Sequence, residues 1–234
     1  LFNRPFSCIE VHHGPIGDII PRLSRDEQHI VWLDYDSTVQ QAYLADVQQA
    51  VAQLSPGSVI LVTLDVEPPS RGLDDPSGIQ EVYRERLGEW VPESLELRDF
   101  SPIRLARVNL MLLQRAIERG LAGRKAKFSP LFNFLYADGH KMITAGGMIT
   151  AKSHKSALDR ANIGGSLYGR TDWSQDPFSI EVPVLTRKER LHLDQFMPQS
   201  DPDWAPSEFE MDMDDLQAYR SIYRFNPIYA ELLT

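Results

Sequence analysis

An α/β fold is predicted, with a mostly parallel sheet closed by an antiparallel hairpin and followed by a helical extension; three features of the sequence point to it. Two continuous apolar runs, HIVWL at 29–33 and VILVTL at 59–64, have the length and β-branched character of strands buried in a central sheet. Between them lies a stretch of helical periodicity, the usual link between parallel strands. Further on, Asp138-Gly139 sits between two apolar segments, and this dipeptide supplies the positive φ of a tight hairpin. With 234 residues, 42% hydrophobic, and a mean hydropathy of −0.31, the chain can bury one core with elaborations and is neither disordered, collagenous nor repetitive.

The elements follow in order. Residues 7–11 read as a short strand, Gly14-Pro15-Ile16-Gly17-Asp18 as the turn after it, and 19–23 as a turn or two of helix. The strand at 29–33 ends abruptly in Asp34-Tyr35-Asp36. Val39, Tyr43, Val47, Ala50, Val51 and Leu54 then recur at three- and four-residue steps, one face of a helix stopped by Ser55-Pro56-Gly57. After the strand at 59–64 the pattern breaks into Pro68-Pro69, Gly72 and Asp74-Asp75-Pro76, so residues 66–100 are expected to be an inserted lid outside the core, with a helix near 79–87. Ala106, Leu110, Leu113, Ile117 and Leu121 define a long helix over 102–121. Strands are expected at 131–136 and 141–145, a capping box at Thr186 with Glu189, and a last helix over 212–223. This divides the chain into an α/β domain, 1–150, and a mostly helical extension, 151–234.

Composition narrows the function. Cys8 is the only cysteine, which precludes an intramolecular disulfide or a cysteine zinc cluster and fits a reducing compartment, the cytoplasm by default. No apolar run reaches the roughly 20 residues of a membrane span, and LFNRPFSCIE lacks the basic and apolar regions of a leader. Because Leu1 is not an initiator methionine and strand-like residues follow at once, an upstream part of the fold is expected. A formal net charge of −9 opposes nonspecific nucleic-acid binding.

In an open α/β sheet, ligands bind beyond the carboxyl ends of the strands. Asp34 and Asp36 follow the first buried strand and Asp65 follows the second, so carboxylates on adjacent strand tips could meet at one hard cation such as Mg²⁺. The competing structural role for each is to satisfy turn amides or a helix N-terminus.

At these residues the sequence resembles the class I S-adenosylmethionine-dependent methyltransferases, in particular the metal-dependent small-molecule O-methyltransferases and bacterial proteins labelled as O-methyltransferases. IEVHHGPIGDIIPRL resembles the strand, Gly-Pro turn and helix beside the cofactor adenine; HIVWLDYD is similar to the fourth strand of that Rossmann-like sheet, SVILVTLD to the fifth, and FNFLYADGHKMITAGG to the closing sixth and seventh. The resemblance covers roughly 7–65 and 131–147. It implies that Gly14, Pro15 and Ile16 line an adenine pocket, that Asp34 and Asp36 lie at the cofactor S-adenosylmethionine, and that Asp34 and Asp65 hold a divalent cation. Val66 stands where the family has an asparagine ligand, and Ser37-Thr38 where it has a basic residue.

Asp34-Tyr35-Asp36-Ser37-Thr38 also matches the Asp-x-Asp-x-Thr signature of haloacid-dehalogenase-like phosphohydrolases. There Asp34 would be the nucleophile and Asp36 the general acid/base, with Thr63 at the phosphate and Lys125 or Lys127 as the later lysine. The acidic pair that completes such a site belongs at the end of a further buried strand, and this motif is not matched: Asp74-Asp75 lies in a Pro-rich loop and Asp214-Asp215 opens a helix. A third reading is an interaction module, catalytically degenerate, that binds a protein partner or a second copy. Residues 104–127 hold seven basic side chains and one acid, whereas 201–215 hold seven acids and no base. No interleaved aromatics support nucleic-acid binding by the basic run. His12-His13 point to opposite faces if the segment is a strand, Trp32 and Tyr35 read as packing residues, Cys8 as a small buried hydrophobe, and Gly164-Gly165 with Gly169 as a flexible turn.

Overall fold

Apolar and β-branched residues dominate two segments, and both form strands: β1 (Ile30–Thr38) and β2 (Val59–Asp65). The computed structural model describes residues 6–68, 76–92 and 97–225. β1 and β2 pair in parallel from Ile30 opposite Val59 to Asp34 opposite Thr63, then with an irregularity to Thr38 opposite Asp65. The crossover is helix α2 (Gln41–Gln53), which buries Leu44, Val47, Ala50 and Val51. Before β1, a short helix α1 (Ile16–Ile19) tightens into a 3₁₀ turn at Ile20–Arg22, where Pro21 has no N–H to continue an α pattern.

Helix α4 (Pro102–Leu121) packs beside α2. Its expected stripe is widened by Leu105, Leu112 and Ala116, all buried. Gly120 makes the approach possible: a Cβ there would lie 2.6 Å from the Gln48 carbonyl oxygen. Ile60, Val62 and Leu64 of β2 join α2 and α4 in one cluster, together with Leu33 of β1 and Ile143, Ala145 and Ile149 of the strand beyond. Each such side chain contributes about 1.5–3 kcal/mol by leaving water.

The opposite face of β1 is open, which corrects the expectation of a strand buried on both sides. β1 is an edge strand in the described sheet, with Ile30 79% and Trp32 59% exposed. Trp32 is therefore no core residue; its Nε1 donates to Thr63 Oγ1 at 2.9 Å. The Thr63 and Thr144 hydroxyls meet at 2.9 Å, and those of Tyr136 and Thr144 at 3.0 Å, so a polar ladder crosses the sheet.

Strands β3 (Lys127–Asp138) and β4 (His140–Thr150) form the expected antiparallel hairpin, turning at Gly139 with φ 75°. They outrun the predicted 131–136 and 141–145. Gly146 and Gly147, which look like a stop, stay in the strand because the rings of Phe132 and Phe128 occupy the space a Cβ would need. β4 lies between β2 and β3 and is antiparallel to both, giving the order β1-β2-β4-β3-β5 with β5 at Phe178–Ser179. Hence β1, β2 and β3 run one way and β4 runs against them.

Four further expectations are corrected. Residues 7–11 form no strand; Ile9 and Val11 are exposed, as is Cys8, because no neighbouring strand among the described residues takes up their backbone groups. The 66–100 insertion is not outside the core: helix α3 (Pro76–Leu87) and the turns after it bury Tyr83, Leu87, Trp90 and Phe100 in the main cluster. Tyr83 meets Phe100 edge-on at 5.0 Å, and burial pushes its phenol up to about 12. Asp74-Asp75 fall outside the described residues. The glycine turn at 164–169 is packed, with Gly169 against the Ile163 carbonyl.

The chain divides into two compact units, Leu1–Phe178 and Ser179–Thr234, so residues 151–178 stay with the sheet. Helix α5 (Lys155–Ala161) leads into a return in which Arg170 N donates to Leu131 O at 2.9 Å and Trp173 Nε1 to Phe132 O at 3.2 Å. The second unit holds α6 (Arg187–Asp194) and α7 (Met213–Ile222) around buried Leu193, Leu216 and Tyr219. The predicted capping box opens α6: Glu189 N donates to Thr186 Oγ1 at 3.3 Å, and Thr186 N to Glu189 Oε2 at 2.7 Å.

Candidate functional site

β1 carries strand geometry past Leu33 through Asp34-Tyr35-Asp36, and the two-residue alternation separates the three side chains. Asp34 and Asp36 are exposed on the side of Trp32, with no hydrogen-bond partner among the described residues, whereas Tyr35 turns toward α2. Its ring stacks on Tyr43 with centroids 3.8 Å apart, and its hydroxyl donates to Asp46 Oδ2 at 2.9 Å. Burial, then the Asp46 carboxylate, hold the Tyr35 phenol far above its ordinary value. Ser37 and Tyr43 share a hydroxyl hydrogen bond at 2.7 Å, and Arg86 of α3 donates to Thr38 Oγ1. The inserted segment is thus tied to the end of β1.

Asp46 also connects the two sequence motifs. Its Oδ1 is the nearest atom, at 3.4 Å, to where a Cβ on Gly17 would stand, and Gln49 Nε2 donates to Gly17 O at 3.4 Å. Within the turn, Gly14 has φ 145° with open space around it, Pro15 O accepts from Asp18 N at 3.1 Å, and Ile16 packs half-buried against the core. The Gly-Pro-Ile turn and the Asp-Tyr-Asp tip are therefore joined through one face of α2.

Asp34 is opposite Thr63, and Asp65, two residues further along β2, is opposite Thr38 across the irregularity in β1. Asp65 Oδ1 accepts from Glu67 N at 2.6 Å, closing a turn, and Asn109 Nδ2 donates to its carbonyl at 3.4 Å. Beyond it, His140 Nδ1 meets Glu67 Oε2 at 3.1 Å, and Lys141 N donates to Glu67 Oε1 at 3.1 Å. The hydrogen bond to Glu67 raises the His140 pKa, and the same bond, with the Lys141 amide, lowers that of Glu67.

The donor set does not fit a metal centre. Among the described residues no three histidine, cysteine, aspartate or glutamate side chains are arranged to hold an ion, and Val66, fully buried, offers no ligand beside Asp34 and Asp65. Within the described first unit nothing supports the phosphohydrolase arrangement: Thr63 Oγ1 is engaged by Trp32 and Thr144, and Lys125 and Lys127 lie where β3 begins, at the other end of the sheet.

Much of the basic run 104–127 is used internally. Arg107 pairs with Asp176, Arg115 and Arg119 lie over the Trp90 ring, Arg119 bonds Glu89 at 2.8 Å, and Arg124 donates to the carbonyls of Val51 and Leu54. Asp46, Glu67 and His140 are the site residues that sequence reasoning missed. The signal for the last two was position, just past a strand end and at the hairpin turn.

No helix among the described residues is long and apolar enough to cross a membrane. No curated protein matches the chain. A family model described as "putative O-methyltransferase" matches residues 1–234. The mixed α/β sheet of five strands is consistent with that match, and the chain belongs to this O-methyltransferase family.

Proposed function

We propose that the protein transfers a methyl group from S-adenosylmethionine to an oxygen nucleophile at the carboxyl ends of β1 and β2. What supports this reading is the placement of Asp34 and Asp36 in the second half of β1, of Asp65 at the end of β2 and of the Glu67–His140 pair just beyond it, in a chain of the O-methyltransferase family. The donor chemistry fits the methyl donor: Asp34 and Asp36 carry carboxylates with no protein partner among the described residues, suited to hydroxyl or ammonium donors. Gly14, Pro15 and Ile16 offer an open glycine and an apolar side chain suited to an adenine edge. When bound, S-adenosylmethionine supplies an electrophilic methyl on a sulfonium.

His140 supplies the base. Its Nδ1–H donates to Glu67, which fixes the tautomer and leaves the Nε2 lone pair free to take the proton of an acceptor hydroxyl. Glu67 stabilises the imidazolium that results, and the Lys141 amide holds Glu67 in place.

Calorimetry with S-adenosylmethionine and S-adenosylhomocysteine, with and without Mg²⁺, tests the reading on this chain. Binding that is indifferent to Mg²⁺ and falls at least tenfold in Asp34→Asn, with an unchanged melting temperature, is expected. Absence of binding overturns it.

A further inference from the structure

The amino-terminal end of the sheet carries a concavity of about 1260 Å³, built from three stretches of chain. The α4–β3 connection contributes Arg124, Lys125 and Lys127, the end of β4 contributes Thr150, the α5 segment contributes Lys152 and Lys155, and Thr171 closes the wall. Phe128, Leu131, Leu158 and Ile163 supply apolar surface. The chain has only six lysines, at 125, 127, 141, 152, 155 and 188, and four of them line this one cavity. A single lining carboxylate, Asp159, opposes five cations in a protein whose overall charge is −9.

These lysines are also unspent. Arginines elsewhere are held by carboxylates or carbonyls, as with Arg107, Arg119 and Arg220, yet no described residue hydrogen-bonds or pairs with the ammonium groups of Lys125, Lys127, Lys152 or Lys155. Four like charges gathered in a concavity repel one another and raise the local potential for an anion. Lysine, as a compact point charge with three donors, suits a phosphoryl group approached from several sides. The cavity is larger than inorganic phosphate needs, and its apolar wall would be wasted on a bare ion.

We propose that this cavity is a binding site for an organic phosphate, the phosphoryl group held by the lysines and an apolar or aromatic body resting on Phe128, Leu131, Leu158 and Ile163. It is separate from the proposed methyl-transfer site. Thr150 stands eight residues along β4 from Met142, which pairs with Asp65, a separation of about 27 Å at strand rise.

The test is calorimetric titration of the full chain with 2-naphthyl phosphate, inorganic phosphate and a 20-nucleotide single-stranded RNA. We expect 2-naphthyl phosphate to bind at least tenfold tighter than inorganic phosphate. Lys152→Glu and Lys155→Glu, both exposed positions, should each weaken it at least tenfold with no change in melting temperature, while Lys141→Glu and Lys188→Glu, outside the cavity, leave it unchanged. Equal loss in the two control variants would show diffuse attraction and overturn the site. So would equal affinity for the two phosphates, or RNA binding through these lysines with no 2-naphthyl phosphate binding, which would make the surface a nucleic-acid one.

Discussion

The two ends of this sheet are chemically opposed. At the carboxyl ends of β1 and β2 stand Asp34, Asp36, Asp65 and Glu67, with His140 paired to Glu67. At the amino end of β3 stand Arg124, Lys125, Lys127, Lys152 and Lys155. Two of the acids are spent on geometry as well as charge: Asp65 closes a turn and Glu67 holds a histidine. The lysines have no partner among the described residues. Residues fixed by hydrogen bonds suit a reaction that needs defined positions, whereas mobile ammonium groups suit capture of an anion. Some 27 Å of strand separates the two, more than three Debye lengths at physiological salt. Each end should therefore answer to its own perturbation.

The largest effect should come from breaking the layer both ends share. Leu113→Ala in α4, where the side chain is 1% exposed, should cost about 2–5 kcal/mol in urea unfolding and weaken ligand binding at both ends together. Retained stability would mean that α4 does not support the sheet as described. Next in size, Tyr35→Phe removes the donor to Asp46 and should cost about 0.5–1.5 kcal/mol, with weaker S-adenosylmethionine binding and unaltered 2-naphthyl phosphate binding. An equal loss of both ligands would erase the independence of the two ends.

A third comparison uses pH. His140 has a raised pKa, so its pairing stabilises the fold below the ordinary imidazole range and that contribution is lost as pH rises through the raised value. Glu67 has a lowered pKa, so its share is present above the ordinary carboxylate range and is lost as pH falls through the lowered value. The pair thus acts between those limits. In NMR titration, Glu67→Gln should return His140 toward its ordinary value, and the rise of methyl-transfer rate with pH should move to lower pH with it. An unmoved rate profile would remove His140 from the role of base. The smallest effect belongs to the second unit: Thr186→Ala should cost about 1 kcal/mol by removing the α6 cap, visible in thermal unfolding, with both ligands unaffected.

Where strong local signals coincide, the sequence and the structure agree. The apolar runs, the stripe from Ala106 to Leu121, Asp138-Gly139 and Thr186 with Glu189 all express short-range rules of period, turn and cap. Residues 7–11 look like a strand by the same rules and are none, because a strand also needs a neighbour for its amides. Trp32 looks like core and is exposed, since apolar character does not say whether a strand is central or at an edge. The inserted segment looks like a loop because of its prolines, yet Tyr83, Leu87, Trp90 and Phe100 reach the core.

At the site, the sequence by itself determined that Asp65 stands at the end of β2, since an apolar strand that stops in a carboxylate shows where its tip is. The same rule ends β1 at Leu33, whereas β1 runs on through Asp34 and Asp36 to Thr38, because an edge strand keeps its pairing after its exposed face turns polar. The sequence also determined the crossover between β1 and β2 and the hairpin that closes the sheet. Only the tertiary structure decided that Asp46 joins the Gly-Pro-Ile turn to the Asp-Tyr-Asp tip, that His140 meets Glu67 across 73 residues of sequence, and that four lysines from two segments line one cavity. Local order is set by neighbours along the chain, whereas a site is set by which side chains the packing of α2 and the insertion of β4 bring within a few ångströms.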